Sequence, residues 1–180
     1  MSNPEVREPL TWGVASKRLI KLLVVAAIIG LPLLYMQGRY KVVFDNVKGA
    51  NCLPYSVFLI DLRDRDVTRG DYVAFAADQM EPFYKKGTPA VKIMAGVPGD
   101  RVAVTEQGIS INGRHWGPLT HVQPGEKLRE MGRRLDEFLR DEQIPTGQFA
   151  MLGTYERSFD SRYWGYIRHD QIIGRAVPLW

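Results

Sequence analysis

Residues 19 to 36 read LIKLLVVAAIIGLPLLYM, an apolar run whose single charge is Lys21. A helix needs about 20 such residues to cross about 30 Å of hydrocarbon, so the run can span a membrane with Lys21 snorkelling to the interface. It is apolar on every side instead of along one stripe, which argues against a core helix. A cleavable secretory signal has a shorter apolar core of about 7 to 15 residues followed by small residues. Leu33-Leu34-Tyr35-Met36-Gln37 offers no such site, and the run is read as an uncleaved anchor. Pro32 is placed to bend its far end, and Trp12, Tyr35 and Tyr40 to sit at headgroup level. Arg7, Lys17, Arg18 and Lys21 precede the run and Arg39, Lys41 and Lys48 follow it. That balance favours a cytoplasmic N-terminus. The expected organisation is a cytoplasmic tail over 1–18, a transmembrane anchor over 19–38 and an extracytoplasmic domain over 39–180. The anchor would lie in the inner (cytoplasmic) membrane with the body on its periplasmic or outer side.

After the anchor the chain breaks into short β-rich runs: Lys41 to Val47, Ser56 to Leu62, Asp71 to Ala76, Ala90 to Met94, Arg101 to Val104 and Ile109 to Ile111. Gln148 to Leu152 and Gln171 to Pro178 are strand-like again. Turn residues separate these runs, and the pattern predicts a mainly β body. Asn112-Gly113 marks a tight hairpin, because both residues tolerate positive φ. Leu128, Met131, Leu135, Phe138 and Leu139 fall at three- and four-residue steps, which predicts one amphipathic helix between Pro124 and Ile144. Val57, Phe58 and Phe83-Tyr84 are open to two readings, core packing or contact with the lipid surface. The net charge of +4 is small and scattered, so no nucleic-acid surface is expected.

Cys52 is the only cysteine, which excludes an internal disulfide, a CxxC redox pair and a cysteine-rich zinc site. It stands two residues before Pro54 and just ahead of an apolar strand. Proline fixes its own φ and biases Leu53 to an extended shape, which can hold Cys52 at the mouth of a cleft. The alternative is a small buried hydrophobe. Lys92 lies between Val91 and Ile93 on a strand that ends in Gly96-Val97-Pro98-Gly99-Asp100. Buried there, the amine would lose the solvation that favours its charge and could serve as a base; at an edge it would only face water. A third segment, Ser158-Phe159-Asp160-Ser161-Arg162-Tyr163-Trp164-Gly165, offers a hydroxyl, an acid and a guanidinium among aromatics. Its simplest account is an ion pair in a turn with the rings in the core.

Taken in order, these segments resemble the signal peptidase I family of serine/lysine peptidases, over about Val47 to Ala176. Val91-Lys92 with Gly96 to Asp100 is similar to the family's base-lysine motif, and Ser158 to Gly165 to its late motif. Where the family ordinarily has serine, this chain has cysteine. In secretory signal peptidases the nucleophile stands three residues before the proline, which would select Asn51, an amide that cannot serve. The TraF-like peptidases of conjugative transfer place it two residues before, which selects Cys52. The resemblance implies a β-rich catalytic domain in which Cys52 is the nucleophile, Lys92 the base and Ser158 the group that orients Lys92. Asp160 and Arg162 would brace the site. It implies no metal and no cofactor.

The implied substrate is a membrane-inserted precursor, with a conjugative pilin as the expected case, and the lipid bilayer is the other partner. Water as acyl acceptor would give leader removal, whereas the substrate's own N-terminus would give a cyclic product. Two alternatives remain at this point: a general secretory signal peptidase, and a catalytically inactive membrane-tethered domain that binds precursors.

Overall fold

A computed structural model of the chain describes residues 12–44, 52–81, 83–119, 132 and 134–180. The chain divides into two units, Met1–Arg39 and Tyr40–Trp180. The first holds helix α1 (Trp12–Arg39), which contains the whole apolar run and Pro32. Leu22, Ile28, Leu31 and Leu34 are exposed around it, as a helix solvated by lipid instead of by protein would be. Its segment Ala15–Arg39 is long and apolar enough to cross a membrane. Arg39 in the last turn suits the negative end of the helix dipole and donates to Tyr35 Oη at 3.1 Å.

The second unit is built from antiparallel sheets. The larger has the order β1-β2-β11-β3-β4-β9-β10 and the smaller β7-β6-β5-β8. In chain order the strands are β1 (Tyr40–Phe44), β2 (Val57–Asp61), β3 (Tyr72–Ala76), β4 (Pro89–Gly96), β5 (Arg101–Thr105) and β6 (Gly108–Ile111). They continue with β7 (Arg114–Gly117), β8 (Arg140–Gln143), β9 (Gln148–Leu152), β10 (Ile167–Arg168) and β11 (Ile172–Pro178). The mainly β expectation holds. Asn112 and Gly113 take φ of 51° and 78° at the β6–β7 turn, as a tight hairpin requires.

Side-chain alternation assigns the two faces of the large sheet. Val73 and Phe75 of β3, with Ala90 and Met94 of β4, pack with Val102 and Ile109 of the small sheet. Ala74 and Val91 point the other way, into a second cluster with Phe58, Ile60, Leu53 and Cys52. Phe58 and Tyr84 are buried, and Val57 and Phe83 half-buried, so core packing accounts for these apolar residues.

The amphipathic helix is corrected where the structure describes it. Leu135–Phe138 is a single 3-10 turn, and Arg140–Gln143 is strand β8. Residues 124–131 and 133 lie outside the described residues. Phe138 is buried as the helical pattern required, but the backbone that follows pairs with β5, Arg101 opposite Gln143 through Val104 opposite Arg140. A two-pronged pair from Arg101 to Asp141, at 2.7 Å on each prong, fixes that register. An edge strand of charged residues carries no alternation for a sequence pattern to detect.

Candidate active site

Cys52 enters β2 through Leu53-Pro54-Tyr55-Ser56, and both Cys52 and Leu53 are buried. The thiol residue is 2% exposed, so it does not stand open at the mouth of a cleft as expected from the sequence. It packs at the margin of the cluster that holds Phe58 and Ile60. Its carbonyl accepts the amides of Thr154 at 2.9 Å and Tyr155 at 3.5 Å, tying the segment to the loop after β9.

That loop begins with Gly153, where Cys52, Ser158 and Asp160 approach one another. The Gly153 amide donates to Asp160 Oδ2 at 2.9 Å, and its carbonyl accepts the Trp116 indole N–H at 3.0 Å. A Cβ on this glycine would lie 2.2 Å from Ser158 Oγ and 2.5 Å from the Cys52 carbonyl oxygen. Only a residue without a side chain lets those two atoms come so near. Ser158 Oγ is buried and makes no hydrogen bond among the described residues. An unsatisfied buried hydroxyl costs about 1–3 kcal/mol, and such exceptions in a native fold call for a reason.

Asp160 and Arg162 form a fully buried brace. Asp160 Oδ1 accepts Arg162 Nε at 2.8 Å and the Arg162 amide at 3.1 Å, while Oδ2 accepts Nη2 at 2.7 Å. Asp160 thereby caps the short helix α2 (Ser161–Trp164). The remaining guanidinium protons go to the carbonyls of Pro118, Glu156 and Tyr155. Burial works against the Arg162 charge, but the Asp160 carboxylate outweighs it and raises its pKa; Tyr163 and Cys52 add to that field. Burial pushes the Tyr163 phenol up to about 12, against the pull of Arg162, and Tyr163 donates to the Leu119 carbonyl. The ion pair in a turn and the aromatics in the core are therefore both present, arranged around Gly153 and the Cys52 segment.

Lys92 approaches from β4. That strand is flanked by β3 and β9, and Lys92 is 1% exposed, so it is not an edge lysine facing water. Burial disfavours its ammonium form. Nζ donates to the Val91 carbonyl at 3.1 Å and to Tyr84 Oη at 3.5 Å. The Tyr84 ring stacks on Phe159, the neighbour of Ser158, with centroids 6.4 Å apart. Ile93, the neighbour of Lys92, pairs with Leu152, the neighbour of Gly153. Gly153, Tyr84 and Trp116 were not assigned to the site by sequence reasoning. A glycine directly after an apolar strand, where close backbone approach is common, was the signal for the first.

A polar cleft of about 300 Å³ adjoins this centre, lined by His115, Trp116, Pro118, Thr154, Tyr155 and Glu156 among others. Arg162 reaches its wall.

Comparison with known proteins bears on the chain as a whole. A family profile described as signal peptidase, peptidase S26, matches residues 16–180. A signal peptidase I of Leptolyngbya laminosa is 29% identical over 98% of this chain and 82% of its own length. A signal peptidase IB of Staphylococcus aureus is 25% identical over 85% of each. A probable signal peptidase I-2 of Synechocystis is 28% identical over 67% of this chain and 52% of its own. A crystal structure of a signal peptidase I from Enterococcus faecalis aligns at 21% identity with a TM-score of 0.37, covering 61% of this chain and 95% of that one.

Proposed function

Because the chain belongs to the signal peptidase family, peptidase S26, we propose that it is a membrane-anchored endopeptidase whose nucleophile is Cys52 and whose base is Lys92. The observation that carries this reading is the Gly153 junction. There a buried serine hydroxyl, with no hydrogen bond among the described residues, and the Cys52 carbonyl both close on one glycine, whose strand neighbour Leu152 pairs with Ile93 beside buried Lys92. A structural core has no use for that combination.

In the proposed reaction the Cys52 sulfur attacks the scissile carbonyl as Lys92 holds the thiol proton. The C–S bond forms, the C–N bond breaks, and the proton passes from Lys92 to the leaving amine. An acceptor then attacks the thioester carbonyl and gives its proton to Lys92; the C–S bond breaks, and Lys92 passes that proton to the departing sulfur, which restores the thiol and the free amine. Ser158 orients the Lys92 amine, and Asp160 with Arg162 hold the loop that carries Ser158. The Cys52 amide supplies one oxyanion donor. Ala50 stands where many secretory members carry a second donor's hydroxyl.

The substrate in this reading is an exported precursor, a conjugative pilin, met by residues 39–180 on the outer side of the inner membrane, with residues 19–38 as anchor and 1–18 inside. The two-residue spacing of Cys52 and Pro54 supports the pilin branch. The general secretory reading is supported by the relatives above, which bear that name. Both are tested by intact-mass measurement on the pilin encoded nearby, in cells with the wild-type protein, Cys52→Ala or no protein. Loss of a leader only with the wild type supports the peptidase, and a further loss of one water identifies cyclisation. Normal processing by Cys52→Ala rejects the nucleophile, and an unchanged pilin mass in all three rejects the pilin.

A further inference from the structure

The segment between Cys52 and β2 is held from a second side, by the residues that follow β11. The β2–β11 ladder runs from Arg175 opposite Asp61 to Pro178 opposite Phe58. Beyond Pro178 the Leu179 amide donates to the Val57 carbonyl at 2.9 Å, as the register requires. The return bonds depart from it: the amides of Ser56 and Val57 both donate to the Trp180 carbonyl, at 2.7 and 2.9 Å. Two successive residues facing one partner is the hydrogen-bond pattern of a β-bulge, which bends its strand and redirects the chain that leaves it. Here that chain is Tyr55-Pro54-Leu53-Cys52.

We infer that Leu179 and Trp180 are positioning residues for the nucleophile, acting through the Trp180 backbone carbonyl on the Ser56–Val57 bulge. The inference rests on Cys52 as nucleophile. The Cys52 carbonyl is fixed from the Thr154 side, and the Trp180 carbonyl fixes the Ser56 amide at the other end of the three-residue bridge Leu53-Pro54-Tyr55. Pro54 removes one rotation and one donor from that bridge. With both ends held, Cys52 has little freedom; releasing the Trp180 end removes one of the two anchors of that bridge. The side chains are dispensable to this role. Leu179 is exposed and Trp180 is 83% exposed, so what they contribute to the bulge is backbone.

The test compares the full chain in detergent with a form truncated after Pro178 and with the full-length double variant Leu179→Ala/Trp180→Ala, which keeps every backbone group. Turnover is read on a fluorogenic peptide with an Ala-x-Ala cleavage site, and Cys52 exposure by its rate of alkylation with iodoacetamide. A misplacement of about 1 Å can cost about 100-fold in rate. Truncation is therefore expected to lower kcat by about that factor with KM nearly unchanged, and to speed Cys52 alkylation at least tenfold, on the order of 1.4 kcal/mol of lost protection. The double variant should match the wild type in both. Wild-type kcat and alkylation after truncation, a loss proportional to the unfolded fraction by circular dichroism, or an equal loss in the double variant would each overturn the inference. A Cys52→Ala control separates the two levels. If it still cleaves the peptide, the nucleophile assignment fails, while the alkylation rates continue to report on the bulge.

Discussion

The Gly153 amide donates to Asp160 Oδ2 at 2.9 Å, joining the exit of β9 to the cap of helix α2. The opposite side of the same glycine is closed by Ser158 Oγ and the Cys52 carbonyl oxygen. Gly153 therefore transmits the position of the Asp160–Arg162 brace to the Cys52 segment. Gly153→Ala places a methyl 2.5 Å from a backbone oxygen that is itself held by Thr154, so neither atom yields cheaply. Overpacking of this kind costs about 1–3 kcal/mol. We expect a lowered melting temperature together with loss of precursor cleavage beyond what the unfolded fraction explains. Wild-type cleavage by the alanine variant would remove Gly153 from the site.

Lys92→Arg should be as inactive as Lys92→Ala, because a guanidinium keeps its charge and cannot take a proton from the thiol. The change also puts a larger planar group into a site that is 1% exposed and bounded by Tyr84. Exposed Lys85 and Lys86 should both be replaceable by alanine at no cost to turnover; the Lys86–Asp78 pair at 3.3 Å is a surface contact of the kind worth little. Precursor processing by the four variants checks this. Activity in Lys92→Arg would replace the base with a purely electrostatic role.

Much of the architecture was legible because it rests on local signals. An apolar run of full membrane length has few alternatives as a helix, and Asn112-Gly113 has few as a turn. Residues 140–143 and 114–117 were not legible as strands: Arg-Asp-Glu-Gln and Arg-His-Trp-Gly have no alternation, and their strand state comes from the partners β5 and β6. The candidate residues were found through motifs, but the approach of Ser158 and Cys52 at Gly153 and the hold of Trp180 on the Ser56–Val57 amides were not, since Gly153 contributes an absence of atoms and Trp180 a backbone carbonyl. Neither leaves a side-chain signature. The sequence left Cys52 open to two readings, cleft edge or buried hydrophobe, for a related reason. Leu53 and Phe58 draw the segment inward, and that depends on a sheet face the sequence does not display.

Asp100 gives the body a pH dependence. The Arg69 hydrogen bonds pull its carboxyl down to about 2 against the effect of burial, with help from the Val97 amide and Asn112 Nδ2. An unfolded aspartate titrates near about 3.9. A group whose pKa is depressed by folding stabilises the fold above the unfolded value, and that contribution fades as pH falls from about 4 toward 2. Urea unfolding midpoints should therefore drop between pH 5 and pH 2.5 in the wild type, and by less in Asp100→Asn. Equal drops in the two proteins would show that the Arg69–Asp100 link between β3's approach and the β4–β5 turn does not contribute to acid stability.

The proposed orientation makes the last prediction. Strand β1 opens at Tyr40, the residue after helix α1 ends, and Tyr40 through Phe44 pair with Asp61 through Val57. The folded unit thus begins directly at the end of the helix, and five of the residues between Tyr40 and Cys52 belong to the sheet instead of to a free tether. Whatever side of the membrane receives Arg39 also receives the catalytic unit. If the N-terminus is cytoplasmic, protease added to spheroplasts should digest residues beyond about 40 and leave a membrane-embedded fragment of the tail and helix α1, detected with an N-terminal tag. The fragment should be short because a spanning helix protects only about 20 residues plus what lies inside. Protection of the entire chain until the membrane is opened would place the body inside the cell. It would then have no access to a leader emerging on the outer face, and the proposed encounter with exported precursors would fall with the orientation.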